Sequence, residues 1–205
     1  MATLTIDTAT SIVSVGLVAA DGTVVCAAPI REQNAAQHVL TAVDCVLVES
    51  GLTLADLSSV AVGRGPGSFT GLRIGLATAL GLSEALSILS IGVDTLAALL
   101  AEGPSPGVAV IDARRGEVFA QSAGYPAASY RPAELAALFP GATFVGDGAL
   151  RYQELFVDAG CVVSGVDDTR HWPDPAAMSR LAQIDPQPAT AFYLRAPDAV
   201  PTVLR

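Results

Sequence analysis

Residues 63–75 of this 205-residue chain read Gly63-Arg64-Gly65-Pro66-Gly67-Ser68-Phe69-Thr70-Gly71-Leu72-Arg73-Ile74-Gly75, and no other stretch has types and spacing so suited to chemistry. A glycine-rich turn between a strand and a helix leaves backbone N–H groups free at the positive end of the helix. They can hold an anion there or admit another chain at close range. A tight turn with no ligand is the other reading of the same glycines. The loop is not a Rossmann fingerprint, because Ser68 replaces the third glycine of Gly-x-Gly-x-x-Gly. Nor is it a Walker A loop, since no Gly-Lys-Ser/Thr follows.

The rest of the chemical inventory is sparse. All 11 basic residues are arginine, which excludes a P-loop lysine, a kinase lysine and a Schiff-base lysine. The histidines are His38 and His171, far apart in the chain, and no His-x-x-x-His or Cys-x-x-Cys pair offers a zinc site built from local ligands. Pro66 stands where a Gly-x-Ser-x-Gly nucleophile elbow needs its first glycine. Cys26, Cys45 and Cys161 are scattered and odd in number, against a disulfide scaffold. A net charge of −9 argues against strong nucleic-acid binding by the chain alone. The N-terminus shows no signal peptide, and Arg73, Glu84 and Asp94 interrupt the most apolar region, 71–101, so no membrane span and a cytoplasmic location are expected.

The elements that must position these residues are legible from periodicity. Residues 3–9 and 12–19 read as strands, the second with Val13, Val15 and Leu17 on one face. Ala20-Asp21-Gly22 is a hairpin turn leading to a strand over Thr23–Ala28. Asn34 and Gln37 suggest a capping box for a helix with Ala36, Val39, Leu40, Val43, Val46 and Leu47 on its buried stripe and His38 outside it. A strand over 59–63, a helix over 70–87 and a strand over 88–93 follow, and Asp94 is placed to cap a short helix through Leu100. Pro104-Ser105-Pro106-Gly107 marks a boundary between residues 1–103 and 104–205. Beyond it, strands are expected at 108–112, 117–122 and 143–146 and helices at 132–139, 149–158 and 174–183. The tail 192–198 is expected to return as an edge strand, and no internal repeat is apparent. In the second helix Gly71, Gly75 and Ala79 leave a shallow groove, for the protein's own sheet or first helix or for another subunit.

The eleven residues Gly65–Gly75 resemble the hallmark loop of the TsaB family, also called YeaZ. Supporting pieces follow in the family's order: Ile6-Asp7-Thr8-Ala9-Thr10, Gln37-His38, Asp112-Ala113-Arg114-Arg115-Gly116, Gly146-Asp147-Gly148-Ala149 and Tyr193-Leu194-Arg195. The resemblance implies an α/β fold of the actin-like, Hsp70-like ATPase (ASKHA) class, with two lobes that each hold a mixed sheet flanked by helices. It also implies a non-catalytic scaffold that binds the paralogous catalytic subunit TsaD. The complex, joined by the small ATPase TsaE, adds a threonylcarbamoyl group to the adenosine beside the anticodon of tRNA. TsaD proteins carry a metal-binding His-x-x-x-His; the matching stretch here, Gly92–Leu100, offers only Asp94. Actin-like kinases have an acid and a glycine-containing turn between the first two strands, whereas here Asp7 is followed by Thr8-Ala9-Thr10. Hydrogen bonding across the turn is therefore preferred to a metal role for Asp7.

Asp7, Thr8, Gly65, Gly67 and Ser68 remain candidates for nucleotide or anion contact, with ATP or ADP at a subunit interface and no cofactor required by the chain itself. His38, Gly71, Leu72, Gly75, Leu76, Ala79 and Leu80 are expected at the partner interface, for TsaD or for a second copy, with tRNA met only through the complex. The competing classes are a stand-alone enzyme of this fold, either a small-molecule kinase or a peptidase, and a purely homodimeric binding protein.

Overall fold

The computed structural model describes residues 1–31, 35–101 and 107–195. Strands β1 (Ala2–Asp7), β2 (Val13–Ala19) and β3 (Val24–Ile30) form an antiparallel meander. Helix α1 (Val39–Ser50) ends at Gly51, whose φ of 70° closes it in the left-handed conformation. Strand β4 (Leu57–Gly65) leads through the glycine-rich loop into α2 (Phe69–Leu86), and β5 (Leu89–Asp94) into the short α3 (Thr95–Leu100). The sheet order is β3-β2-β1-β4-β5, with β4 parallel to β1 and β5 parallel to β4.

A second sheet repeats this plan. Strands β6 (Gly107–Arg114), β7 (Glu117–Ser122) and β8 (Tyr125–Tyr130) make a meander, and β9 (Thr143–Val145) and β10 (Val162–Val163) add in parallel on the other side of β6. The order β10-β9-β6-β7-β8 is the first sheet's order with each strand replaced by its counterpart five strands later. No repeat shows in the sequence, because what is duplicated is connectivity and not side chains. Helices α4 (Pro132–Leu138), α5 (Asp147–Arg151) and α6 (Gln153–Asp158) accompany this sheet.

Both sheets are covered on two faces. On the first, Leu4, Ile6, Val15 and Leu17 pack under Val39, Val43, Val46 of α1 and Leu76, Ala79 of α2. The opposite face, with Ala61 and Val93, receives Met178 and Ala182 of α7 (Pro175–Ile184). The alternation in β2 therefore marks its two faces correctly, but both are buried. Helix α3 seats Leu96 and Leu99 against Ala109, Ile111 and Phe119 of the second sheet and so joins the lobes.

Four expectations change. The division at 103/104 places α7 with the second lobe, whereas its contacts are with β1, β2, β4 and β5. The tail does pack back, through one bridge between Gly92 and Gln187 and a bond from the Phe192 amide to the Arg64 carbonyl, but residues 187–195 form no strand, and 196–198 lie outside the described residues. Leu40 faces solvent, because the buried stripe of α1 runs through Val39, Ala42, Val43, Val46 and Leu47. Asp94 makes no capping bond; its carboxylate is paired with the Arg64 guanidinium. Strands β8 and β10 were not legible from the pattern, β8 because its face is half-exposed and β10 because it is two residues long. The expected cap residue Asn34 and the boundary residues 104–106 lie outside the described residues. Among the described residues no helix is long and apolar enough to cross a membrane.

Candidate functional site

The glycine-rich loop lies against the turn between β1 and β2, and its glycines exist to let that turn in. Gly63, Gly67, Gly71 and Gly75 recur every four residues. A Cβ on each would stand 1.8 Å from the Asp7 carboxylate, 2.3 Å from the Ala9 carbonyl, 2.0 Å from the Thr8 carbonyl and 2.2 Å from the Thr8 hydroxyl, in that order. The Thr8 hydroxyl donates to the Gly71 carbonyl at 2.7 Å, and the Ser68 amide donates to the Ala9 carbonyl at 2.7 Å. Ser68 itself caps α2 by accepting from the Gly71 amide at 3.2 Å. The Gly65 amide donates to the Thr95 hydroxyl at 3.3 Å.

These bonds bear on the expected anion contact at Gly65, Gly67 and Ser68. The loop amides at 65 and 68 are consumed by the protein, and Gly67 is filled by Ala9. The partner groove is corrected for the same physical reason. Gly71, Leu72, Gly75, Leu76 and Ala79 form the buried face of α2, and the hollow left by the two glycines holds Thr8 of the same chain. Of the expected interface residues, His38 and Leu80 face solvent.

Asp7 is fully buried at the end of β1. It accepts from the Ala9 amide at 2.9 Å and from the Thr95 hydroxyl at 2.7 Å, which is the role across the turn preferred from the sequence. Burial, with the nearby Asp147 charge adding to it, pushes the Asp7 carboxyl up to about 6 against the pull of those two hydrogen bonds.

Between the lobes a cleft of about 650 Å³ is lined by Thr8–Ile12 of the β1–β2 turn, Arg31 just after β3, Ser68 and Thr70 at the start of α2, and Asp112, Arg114 and Asp147 from the second lobe. The sequence singled out none of Ser11, Arg31, Asp112 or Asp147 for this site. The signal was present in Gly146-Asp147-Gly148: a Cβ at Gly146 would meet the Val110 carbonyl at 2.3 Å and one at Gly148 the Ile111 carbonyl carbon at 2.8 Å. This tight seating on β6 brings Asp147 to the end of that strand, where it accepts from the Asp112 amide at 3.1 Å. The buried His171 ring meets the Gly146 amide and carbonyl through Nδ1 and the Ser164 and Gly165 carbonyls through Nε2, pinning the same junction. The Asp112 carboxylate receives the Arg114 amide at 3.0 Å and pairs with the Arg114 and Arg151 guanidinium groups at 3.3 and 3.5 Å. Across the mouth, Arg31 reaches the Val166 carbonyl at 2.8 Å and lies over the Trp172 ring at 4.7 Å.

An actin-like fold implies a nucleotide in such a cleft, and the residues present do not fit one. Asp112 and Asp147 are the acids that line it, and the amides of Ser11 and Asp112 already donate to Asp147. Among the described residues no group of three or more His, Cys, Asp or Glu side chains is arranged to hold a metal ion.

A family model described as TsaD, tRNA N6-adenosine threonylcarbamoyltransferase, matches residues 29–129. The Escherichia coli tRNA threonylcarbamoyladenosine biosynthesis protein TsaB is 42% identical over 124 residues, 58% of this chain and 53% of that protein, so the chain spans about half the length of this curated relative. An uncharacterized protein of Mycobacterium tuberculosis is 35% identical over 206 residues, covering 97% of this chain and 93% of its own length. The structure of YeaZ from Pseudomonas aeruginosa superposes with a TM-score of 0.73 at 26% identity, over 94% of this chain and 99% of that one. Two lobes of duplicated connectivity, a hallmark loop seated on the first turn and these relatives together leave one assignment: the chain belongs to the TsaB (YeaZ) family, with the actin-like ATPase fold.

Proposed function

We propose that this chain is the non-catalytic subunit that binds a TsaD-type catalytic paralogue and supports its transfer of a threonylcarbamoyl group to the adenosine beside the anticodon of tRNA, with a TsaE-type ATPase joining the complex. The observation that carries the reading is kinship with proteins named for threonylcarbamoyladenosine biosynthesis. The outer surface of the first lobe supplies a docking face. Leu40 and Val48 of α1 and Leu80 of α2 are 57%, 79% and 47% exposed, and Ala77 and Gly81 beside Leu80 are small and solvent-facing. Such a low, apolar surface suits packing against helices of a partner. With a net charge of −9, contact with RNA falls to the partner.

The test is reconstitution. The chain is mixed with a TsaD-type subunit, a TsaE-type ATPase, tRNA and the small substrates, and modified adenosine is measured with each protein omitted in turn. The expected outcome is no product without this chain and none from this chain alone. Product from this chain without the TsaD-type subunit would make it the enzyme.

A further inference from the structure

We propose that Asp147 is a built-in anion: its carboxylate takes the place that a phosphate would hold between the two lobes, and by doing so it clamps them together. One oxygen accepts the Ser11 amide at 2.8 Å, from the β1–β2 turn of the first lobe. The other accepts the Asp112 amide at 3.1 Å, from the end of β6 in the second lobe. A single carboxylate therefore bridges the two equivalent ends of a duplicated fold: Ser11 lies in the turn that follows β1, and Asp112 lies where β6, the counterpart of β1, runs into its own turn.

Two backbone N–H groups converging on one pair of oxygens form an anion cradle, and charge-assisted bonds to a carboxylate are among the stronger hydrogen bonds a protein makes. The anion here is covalently part of the chain, so it need not be captured from solution and cannot diffuse away. Its seat is fixed from behind. Gly146 and Gly148 press the start of α5 onto β6, leaving no room for side chains there, and His171 holds the Gly146 backbone. A phosphate entering this position would meet the Asp147 carboxyl and find its two donors occupied. The two lobes thus acquire one fixed arrangement in this chain, which suits a subunit that presents a surface. The inference concerns the chain's own lobes and stands or falls independently of the partner reading.

The experiment uses the full chain with two substitutions. Asp147→Asn keeps the volume but turns an NH2 group toward one of the two donating amides; Asp147→Ala empties the cradle. Amide hydrogen exchange is read at Ser11 and Asp112, with interior amides of β1 and β6 as internal controls and inorganic phosphate as the probe. One of the two amides in Asp147→Asn, and both in Asp147→Ala, should exchange about tenfold faster or more while the controls hold. Phosphate should slow both amides again in Asp147→Ala and leave the native chain unchanged. Unaltered exchange at the two amides in Asp147→Asn overturns the clamp, whether or not the alanine variant folds. Phosphate that binds saturably at these amides in the native chain overturns the stand-in role, as does an emptied cradle that ignores phosphate.

Discussion

Thr8 decides what two glycines of α2 are for. A methyl group at Gly75 would lie 2.2 Å from its hydroxyl, which is committed to the Gly71 carbonyl at 2.7 Å. Gly75→Leu should therefore cost about 3 kcal/mol through overpacking and the lost hydrogen bond, a drop of ~6–12 °C in melting temperature for a chain of this size. Gly81 sits in the same helix, exposed, with nothing within 4 Å of a Cβ. Gly81→Ala should stabilise the chain by about 0.5–1 kcal/mol from helix propensity. Calorimetry on the pair checks both signs; a Gly75→Leu protein that melts like the native one would return that glycine to a free groove. The four-residue glycine spacing was visible in the sequence, yet its purpose was not, since the atoms that fill the hollow come from a turn some 60 residues earlier.

Asp7 carries the pH dependence. With its carboxyl at about 6 against an ordinary 3.8, the folded chain keeps a proton that the unfolded chain has released. Stability is full below about pH 4 and falls as pH rises through about 6, where the buried charge has cost about 3 kcal/mol. Burial raises the Asp147 carboxyl as well, so the two slopes share a sign. Asp7→Asn should remove the Asp7 share and flatten the curve between about pH 4 and 7, read by urea titration at several pH values. An unchanged slope would mean that Asp7 is ionised throughout.

At the scale of elements, α1 and α2 each divide into an inner face that the sheet covers and an outer face left to solvent. Periodicity located the helices well, and the Val39, Val43, Val46 and Leu47 stripe was read correctly. It failed at Leu40 and at the inner face of α2, because an apolar or small residue beside a stripe can belong to either side and only the crossing of the helix over the sheet decides. The outer face now carries the interface prediction. Val48→Asp and Leu80→Asp touch exposed positions, so each should shift stability by no more than about 0.5 kcal/mol. If these residues pack at the centre of a partner interface, each should weaken assembly about tenfold or more, as 1.4 kcal/mol is a decade in affinity. Binding measured by calorimetry against the TsaD-type subunit, and separately the self-association of this chain by sedimentation, tells whether one surface serves both. Intact affinity in both assays would move the interface off these helices.

Across the whole molecule the duplicated connectivity explains why the strand order of the first half was legible and the lobe boundary was not. A Pro-Ser-Pro-Gly stretch is a sound marker of where one sheet stops, but it says nothing about a helix that returns. Met178 and Ala182 of α7 complete the face of the first sheet that Ala61, Val93 and Ala98 begin, and residues 187–195 then cross back past Gly92 and Arg64 to bond Arg195 to Glu117 at 2.8 Å. The first sheet is thus finished by the end of the described chain. A fragment of residues 1–103 should accordingly leave an apolar sheet face open. Fully burying side chains such as Met178 is worth about 1.5–3 kcal/mol each, a large part of the net stability of an ordinary domain. That fragment should bind a hydrophobic dye and melt without a cooperative transition. Adding a peptide of residues 173–195 should restore the transition, because α7, capped by Asp174 accepting from the Ala177 amide at 2.9 Å, brings both the missing layer and the strap. Cooperative unfolding by 1–103 alone, with no change when the peptide is added, would restore the division at 103/104 and make α7 an accessory to a lobe already complete.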